Sequence, residues 1–124
     1  GDVYKRQGKY DVNNEGISAL NKLSEVLSNQ QDLEIIVEGH TDSIPLSGRG
    51  LVKDNWDLSV LRATSVVKVL TNNSQIKSSQ LMAAGKGEFS PITTNLTVEG
   101  RSANRRIDII LSPNLDEFFN LLDE

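Results

Sequence analysis

Cysteine is absent from the 124 residues, which excludes disulfides, thiolate metal sites and cysteine nucleophiles. That lack is compatible with an oxidising compartment and does not establish one. Aromatic residues make up only 5%, so a core has to be built mainly from Leu, Ile and Val. No apolar run approaches the ~20 residues that a membrane-crossing helix requires. No segment has the form of a secretion leader either, so an exported protein is expected to carry its leader upstream of this stretch. Basic runs are also missing, and 13 Lys and Arg against 17 Asp and Glu give a formal charge of −4. Repulsion from a polyanion argues against nucleic acid or an anionic membrane as the main partner.

What is present fits one compact domain. Apolar residues are 37% and charged residues 24%, the balance of an ordinary soluble globular protein. The length is enough to bury a core without covalent staples. Residues 1–7 fit the following pattern poorly and read either as a non-native remnant or as a short strand through Val3 and Tyr4. Ile17, Leu20, Leu23 and Leu27 recur at helical spacing, with Asn13 or Asn14 placed to cap the helix and Glu15 in its first turn. Leu33 to Gly39 alternates as a strand, with Leu33, Ile35 and Val37 on one face and Glu34, Ile36 and Glu38 on the other.

A loop without periodicity runs from His40 to about Asp54, and loops of that length in a small domain are often functional. A second helix is expected from about Asn55 to Thr71, capped by Asp54 or Asn55, with Leu58, Leu61, Val66, Val69 and Leu70 as its apolar side. A short strand over Leu81–Ala84, a loop over residues 89–103 and a strand over Arg106–Leu111 follow. Leu115, Phe118, Phe119 and Leu122 then mark a short terminal helix. The order predicts an α+β fold of βαβαββ type: a two-layer sandwich with helices on one face of a mixed sheet, plus a C-terminal helix. The expected divisions are a domain over residues 8–112 and a helical tail over 113–124.

Asp42 lies just past a strand end, in the segment GHTD, where ligands often meet sheets. Asn55, Ser59 and Arg62 fall at i, i+4 and i+7 on the second helix, so Asn55 and Arg62 share a face about 10 Å apart along the axis. One anion opposite one cation suits a zwitterion, with an ammonium on Asp42 and a carboxylate gripped by Arg62. Asn55 adds donors and acceptors. On spacing alone, a plain salt bridge between Asp42 and Arg62, with Asn55 as a cap, is the simpler account.

Four strings in order bear on that choice: GHTDSIP, NWDLSVLRATSVVKVL, AAGKGEFSPITTN and EGRSANRRIDIIL. Together they resemble the outer-membrane protein A/MotB domain family over about residues 8–112. The resemblance implies a periplasmic domain of an outer-membrane or envelope-anchored protein. It implies non-catalytic binding of the diaminopimelate of the peptidoglycan stem peptide, with no cofactor and no metal. By the same resemblance, Asp42 and Arg62 match the principal ligand pair. Asn55, Thr41 and Arg105 match further binding positions, Arg105 as a second cation. The loop from Ser43 to Lys53 is longer than in short family members and resembles MotB-like ones, which implies a flagellar stator anchor as an alternative carrier. Homodimerisation is left open.

Other residues carry rival readings. Glu38, His40 and Asp42 alternate, and an extended backbone would set them on one face as a metal-ligand set for a wall hydrolase. The single histidine and the break expected at Gly39 weigh against that. Ser59 has no histidine close in sequence to form a triad. Asp54 and Asp57 suit a helix N-terminus more simply than acid–base work. Trp56 reads as a wall of the core or of the pocket. Arg101 and Arg106 fit structural roles at least as well as ligand binding.

Overall fold

The computed structural model describes residues 10–46, 50–72 and 75–113. Helix α1 spans Asn14–Leu27 and strand β1 Leu33–Gly39. Helix α2 spans Asn55–Leu70, and a single 3-10 turn at Ser78–Gln80 leads into strand β2, Leu81–Gly85. Helix α3, Val98–Asn104, precedes strand β3, Ile107–Pro113. The sheet order is β2-β1-β3, with β1 parallel to β2 and antiparallel to β3. The fold is therefore α+β with a mixed sheet, as the pattern predicts. The expected first strand and terminal helix fall outside the described residues.

Each helix starts where its sequence provides a cap. Asn13 accepts from the Gly16 amide at 2.9 Å, and Asp54 accepts from the Asp57 amide at 2.9 Å. Asp57 in turn accepts from the Lys53 amide at 3.0 Å, which ties the loop to the first turn of α2. Because Asp54 takes the capping role, the Asn55 side chain is available to the loop instead.

The core joins Leu20 and Leu27 of α1, Ile35 and Val37 of β1, Ala63, Val66 and Leu70 of α2, and Ile76. α2 lies on β1 and β2, and α1 packs against α2. Ile35 and Val37 occupy the face that the alternation assigns to the core; Ile36 and Glu38 remain half-buried on the other. Gln80 fastens the turn before β1: its side-chain amide reaches the carbonyls of Gln30, Gln31 and Leu33 at 2.9–3.1 Å.

Two glycines set how closely α2 approaches the sheet. Gly39 and Gly85 are register partners at the ends of β1 and β2. A Cβ on Gly39 would lie 2.0 Å from the Ser59 carbonyl oxygen, and one on Gly85 would lie 2.4 Å from Ser59 Oγ. Together they form a notch that seats the first half of α2 against the strand ends.

One element differs from the sequence reading. Residues 98–104, expected as loop, form α3, capped by Thr97 through the Gly100 amide at 2.9 Å. Seven residues are too few to display a helical period, and α3 is fixed by polar contacts rather than by an apolar stripe.

Candidate functional site

Beyond the Gly39–Gly85 notch the chain buries polar side chains where β1 ends. His40, Thr41, Asp42, Asn55, Ser59, Arg62, Asn104 and Arg105 are all buried. Burial of so many polar groups is tolerable only when they are hydrogen-bonded.

Asp42 is at the centre. Its Oδ2 pairs with Nη1 of Arg105 at 2.9 Å, and its Oδ1 accepts from the Ile44 amide at 3.0 Å, turning the chain away from β1. A carboxylate offers about four lone-pair sites, so these two bonds leave acceptor capacity for a ligand. The Thr41 hydroxyl donates to the Asp42 carbonyl at 2.8 Å, and the Thr41 amide donates to the Gly87 carbonyl at 2.9 Å. Asn55 Nδ2 lies 3.2 Å from the Asp42 carbonyl, 3.1 Å from the Ile44 carbonyl and 3.4 Å from Glu88 Oε1. Thr41 and Asn55 therefore hold the backbone that presents Asp42.

Arg62 is 2% exposed, two turns along α2 on the face of Asn55 and Ser59. A guanidinium buried to that degree has to be compensated by polar groups. Ser59 pins the helix to the β2 exit: its hydroxyl donates to the Trp56 carbonyl at 2.8 Å and accepts from the Gly87 amide at 3.0 Å.

Four of the five residues singled out from sequence, Thr41, Asp42, Asn55 and Arg105, are joined directly by hydrogen bonds or by adjacency. The ion pair at Asp42 is made by Arg105, across 63 positions of sequence. The cap read from spacing alone is corrected, since Asp54 and not Asn55 caps α2, and among the described residues Arg105 is the cation seen paired with Asp42.

The set Glu38, His40 and Asp42 is not assembled. His40 Nε2 lies 2.7 Å from Glu38 Oε1 and 3.3 Å from Asp108 Oδ2, so Asp108 of β3 completes the group. Cross-strand register explains this, since Asp108 is the partner of Glu38. Arg106 Nε lies 3.2 Å from Asp108 Oδ1, so the other oxygen of that carboxylate is paired with a cation.

Asn104 and Glu88 escape the sequence reading. Fully buried, Asn104 accepts from the amides of Ile92 and Thr93 and donates to the Thr93 carbonyl and Asn95 Oδ1, all within 2.8–3.2 Å. Arg101 adds a bond to the Asn95 carbonyl at 3.0 Å, and Arg106 one to the Ser90 carbonyl at 3.0 Å. These contacts latch residues 90–97 onto α3 and so place Arg105. An isolated Asn in a loop-like string carries no local signal for such a role.

Comparison with known proteins agrees with this frame. Motility protein B of Bacillus subtilis is 32% identical over 111 residues, covering 90% of this chain and 42% of the relative. The chain thus spans less than half the length of that relative. The crystal structure of the periplasmic domain of Helicobacter pylori MotB superposes with a TM-score of 0.80 at 25% identity, covering 98% of this chain and 78% of that one. The cell wall anchor of the T6SS from Pseudomonas aeruginosa superposes with a TM-score of 0.77 at 28% identity, covering 88% and 74%. A sequence profile of the OmpA family matches residues 5–105, a span that takes in the strand-end aspartate, the α2 face and Arg105, and the chain belongs to that family.

Proposed function

We propose that this chain is a non-catalytic, periplasmic peptidoglycan-binding domain that holds the diaminopimelate of the stem peptide and so anchors an envelope protein to the cell wall. The observation that carries the reading is the buried Asp42–Arg105 pair, presented at a strand end with Asn55 and Arg62 on the adjoining helix face. The free end of diaminopimelate is a zwitterion. Its ammonium is assigned to the remaining acceptor sites of Asp42, and its carboxylate to Arg62 and Arg105. Thr41 and Asn55 act as positioning residues, because their side chains hold the backbone around Asp42.

Charge-assisted hydrogen bonds contribute roughly 1.5–3 kcal/mol each, so single-site affinity is modest and firm anchoring comes from many sites on one wall. The OmpA-family membership and the structural likeness to a T6SS cell wall anchor support this reading. Likeness to motility protein B over 90% of the chain favours a flagellar stator as the carrier, which an upstream transmembrane helix in the full-length protein would identify.

Calorimetric titration with a diaminopimelate stem peptide and with its lysine analogue tests the pocket. Saturable binding is expected for the first, weakened by the lysine swap and lost in Asp42→Ala and Arg62→Ala. Equal binding of the two peptides would remove the diaminopimelate assignment. Unchanged wall retention by Arg62→Ala would remove that residue from the site.

A further inference from the structure

The chain has six aromatic residues, and two of them sit together on the surface. Trp56 is 49% exposed and Phe89 63% exposed, with ring centroids 5.1 Å apart and planes tilted by 32°. Neither belongs to the core cluster, so burial does not account for them. Their floor is Gly87, whose added Cβ would lie 3.3 Å from the Phe89 ring and 3.4 Å from the Trp56 ring. Gly87 is itself held, through its amide by Ser59 Oγ and through its carbonyl by the Thr41 amide. The rings therefore rest on the same backbone that positions the neighbour of Asp42.

The surface is continuous with the proposed pocket. Trp56 follows Asn55 and Phe89 follows Glu88, and Asn55 Nδ2 lies 3.4 Å from Glu88 Oε1. Val60, one turn beyond Trp56, is 42% exposed and extends the apolar strip. The rings thus flank an amide and a carboxylate.

We propose that Trp56 and Phe89 form a stacking platform for the amino-sugar rings of the glycan strand, an inference that rests on the peptidoglycan reading above. A pyranose presents one face of C–H bonds, which carry partial positive charge, to the negative face of an aromatic ring. Its rim of hydroxyl and acetamido groups suits polar partners such as Glu88. The glycan is joined covalently to the stem peptide, so a stem held at Asp42 raises the effective concentration of sugar beside the rings. The domain then reads the junction of sugar and peptide, and not the peptide alone.

Trp56 is the sole tryptophan, so its emission reports the platform directly. The probes are a disaccharide-bearing muropeptide and the same stem peptide without sugar, titrated by calorimetry and by fluorescence. The muropeptide is expected to bind roughly three- to tenfold more tightly and to shift the Trp56 emission, which the bare peptide leaves nearly unchanged. Trp56→Ala, read by calorimetry, and Phe89→Ala, read by both methods, are expected to remove that advantage while leaving the affinity for bare peptide within about twofold. The exposed Phe89 provides a variant with little risk to folding. Equal affinities for the two probes in the unaltered domain, or an equal loss for both probes in Phe89→Ala, would overturn the platform and leave the peptide pocket standing. Emission that shifts with protein concentration alone, and returns to its dilute value in Phe89→Ala, would assign the rings to self-association instead. Binding of neither probe would overturn the peptidoglycan reading and the platform together.

Discussion

The two ends of α2 are built on different physics. Its C-terminal half places Ala63, Val66 and Leu70 against Ile35 and Val37, an apolar contact in which volume and patterning are what count. Its N-terminal half presents Asn55, Ser59 and Arg62 to a region where every buried group must find a directional partner. The first region tolerates substitutions that conserve volume. The second is more sensitive the more partners a side chain holds, because a side chain of the right shape without the right donors leaves the surrounding groups unsatisfied. A binding site gains from that sensitivity, since each group is held in place before a ligand arrives.

The comparison can be broken most sharply at the notch between the regions. Gly39→Ala sets a methyl 2.0 Å from the Ser59 carbonyl, which is backbone and cannot rotate away. We expect a loss of about 3 kcal/mol or more in urea unfolding, with α2 lifted from the sheet and wall binding lost. A smaller loss would mean that α2 shifts easily and that the site is not rigidly built. Next comes Asn104→Leu, which nearly conserves shape but orphans the amides of Ile92 and Thr93. It should cost about 2–3 kcal/mol, with amide exchange accelerated over residues 90–97. Leu70→Met in the apolar half should stay below about 1.5 kcal/mol. If those two substitutions cost the same, the contrast between the regions fails.

Arg105→Met removes one partner of the pair with Asp42, both side chains being at least nine-tenths buried. A loss of roughly 2 kcal/mol is expected, most of it restored by adding Asp42→Asn, since an isolated buried charge costs more than no charge. Additive losses in the double variant would show that the two side chains do not interact. The smallest effect belongs to Ser59→Ala. Loss of the bond to the Gly87 amide should cost about 1 kcal/mol, and the Trp56 emission should change as the floor beneath the rings loosens. Unaltered emission would separate the ring pair from the site.

The apolar half was legible because periodicity is a local signal. β1 begins and ends at the residues that alternation marks, and α2 falls one residue short of its expected end. The polar half was legible only in part. Asp42, Asn55 and Arg62 could be placed by strand end and helical spacing, and Arg105 by family resemblance. That Arg105, and not spacing, supplies the ion pair at Asp42 depends on α3, which is too short to show a period. Asp108 joining Glu38 and His40 depends on the register between β1 and β3, which no single segment encodes. Trp56 could be read as a wall of either core or pocket, and its exposure beside Phe89 was decided by a turn at Gly87 with φ +60°.

By itself, then, the sequence determined the order of α1, β1, α2, β2 and β3, their apolar faces and the residue types available at the end of β1, and it narrowed the caps of α1 and α2 to two residues each. These follow from interactions between residues close along the chain, where propensity and period act. The tertiary structure decided which polar groups meet: Asp42 with Arg105, Asn55 with the loop carbonyls, Asn104 with residues 92–95. Such contacts join positions up to 63 residues apart. Those of Asn55 depend on how closely α2 can sink between Gly39 and Gly85, and those of Arg105 and Asn104 on where α3 sits, steric quantities that only the assembled helices and sheet define.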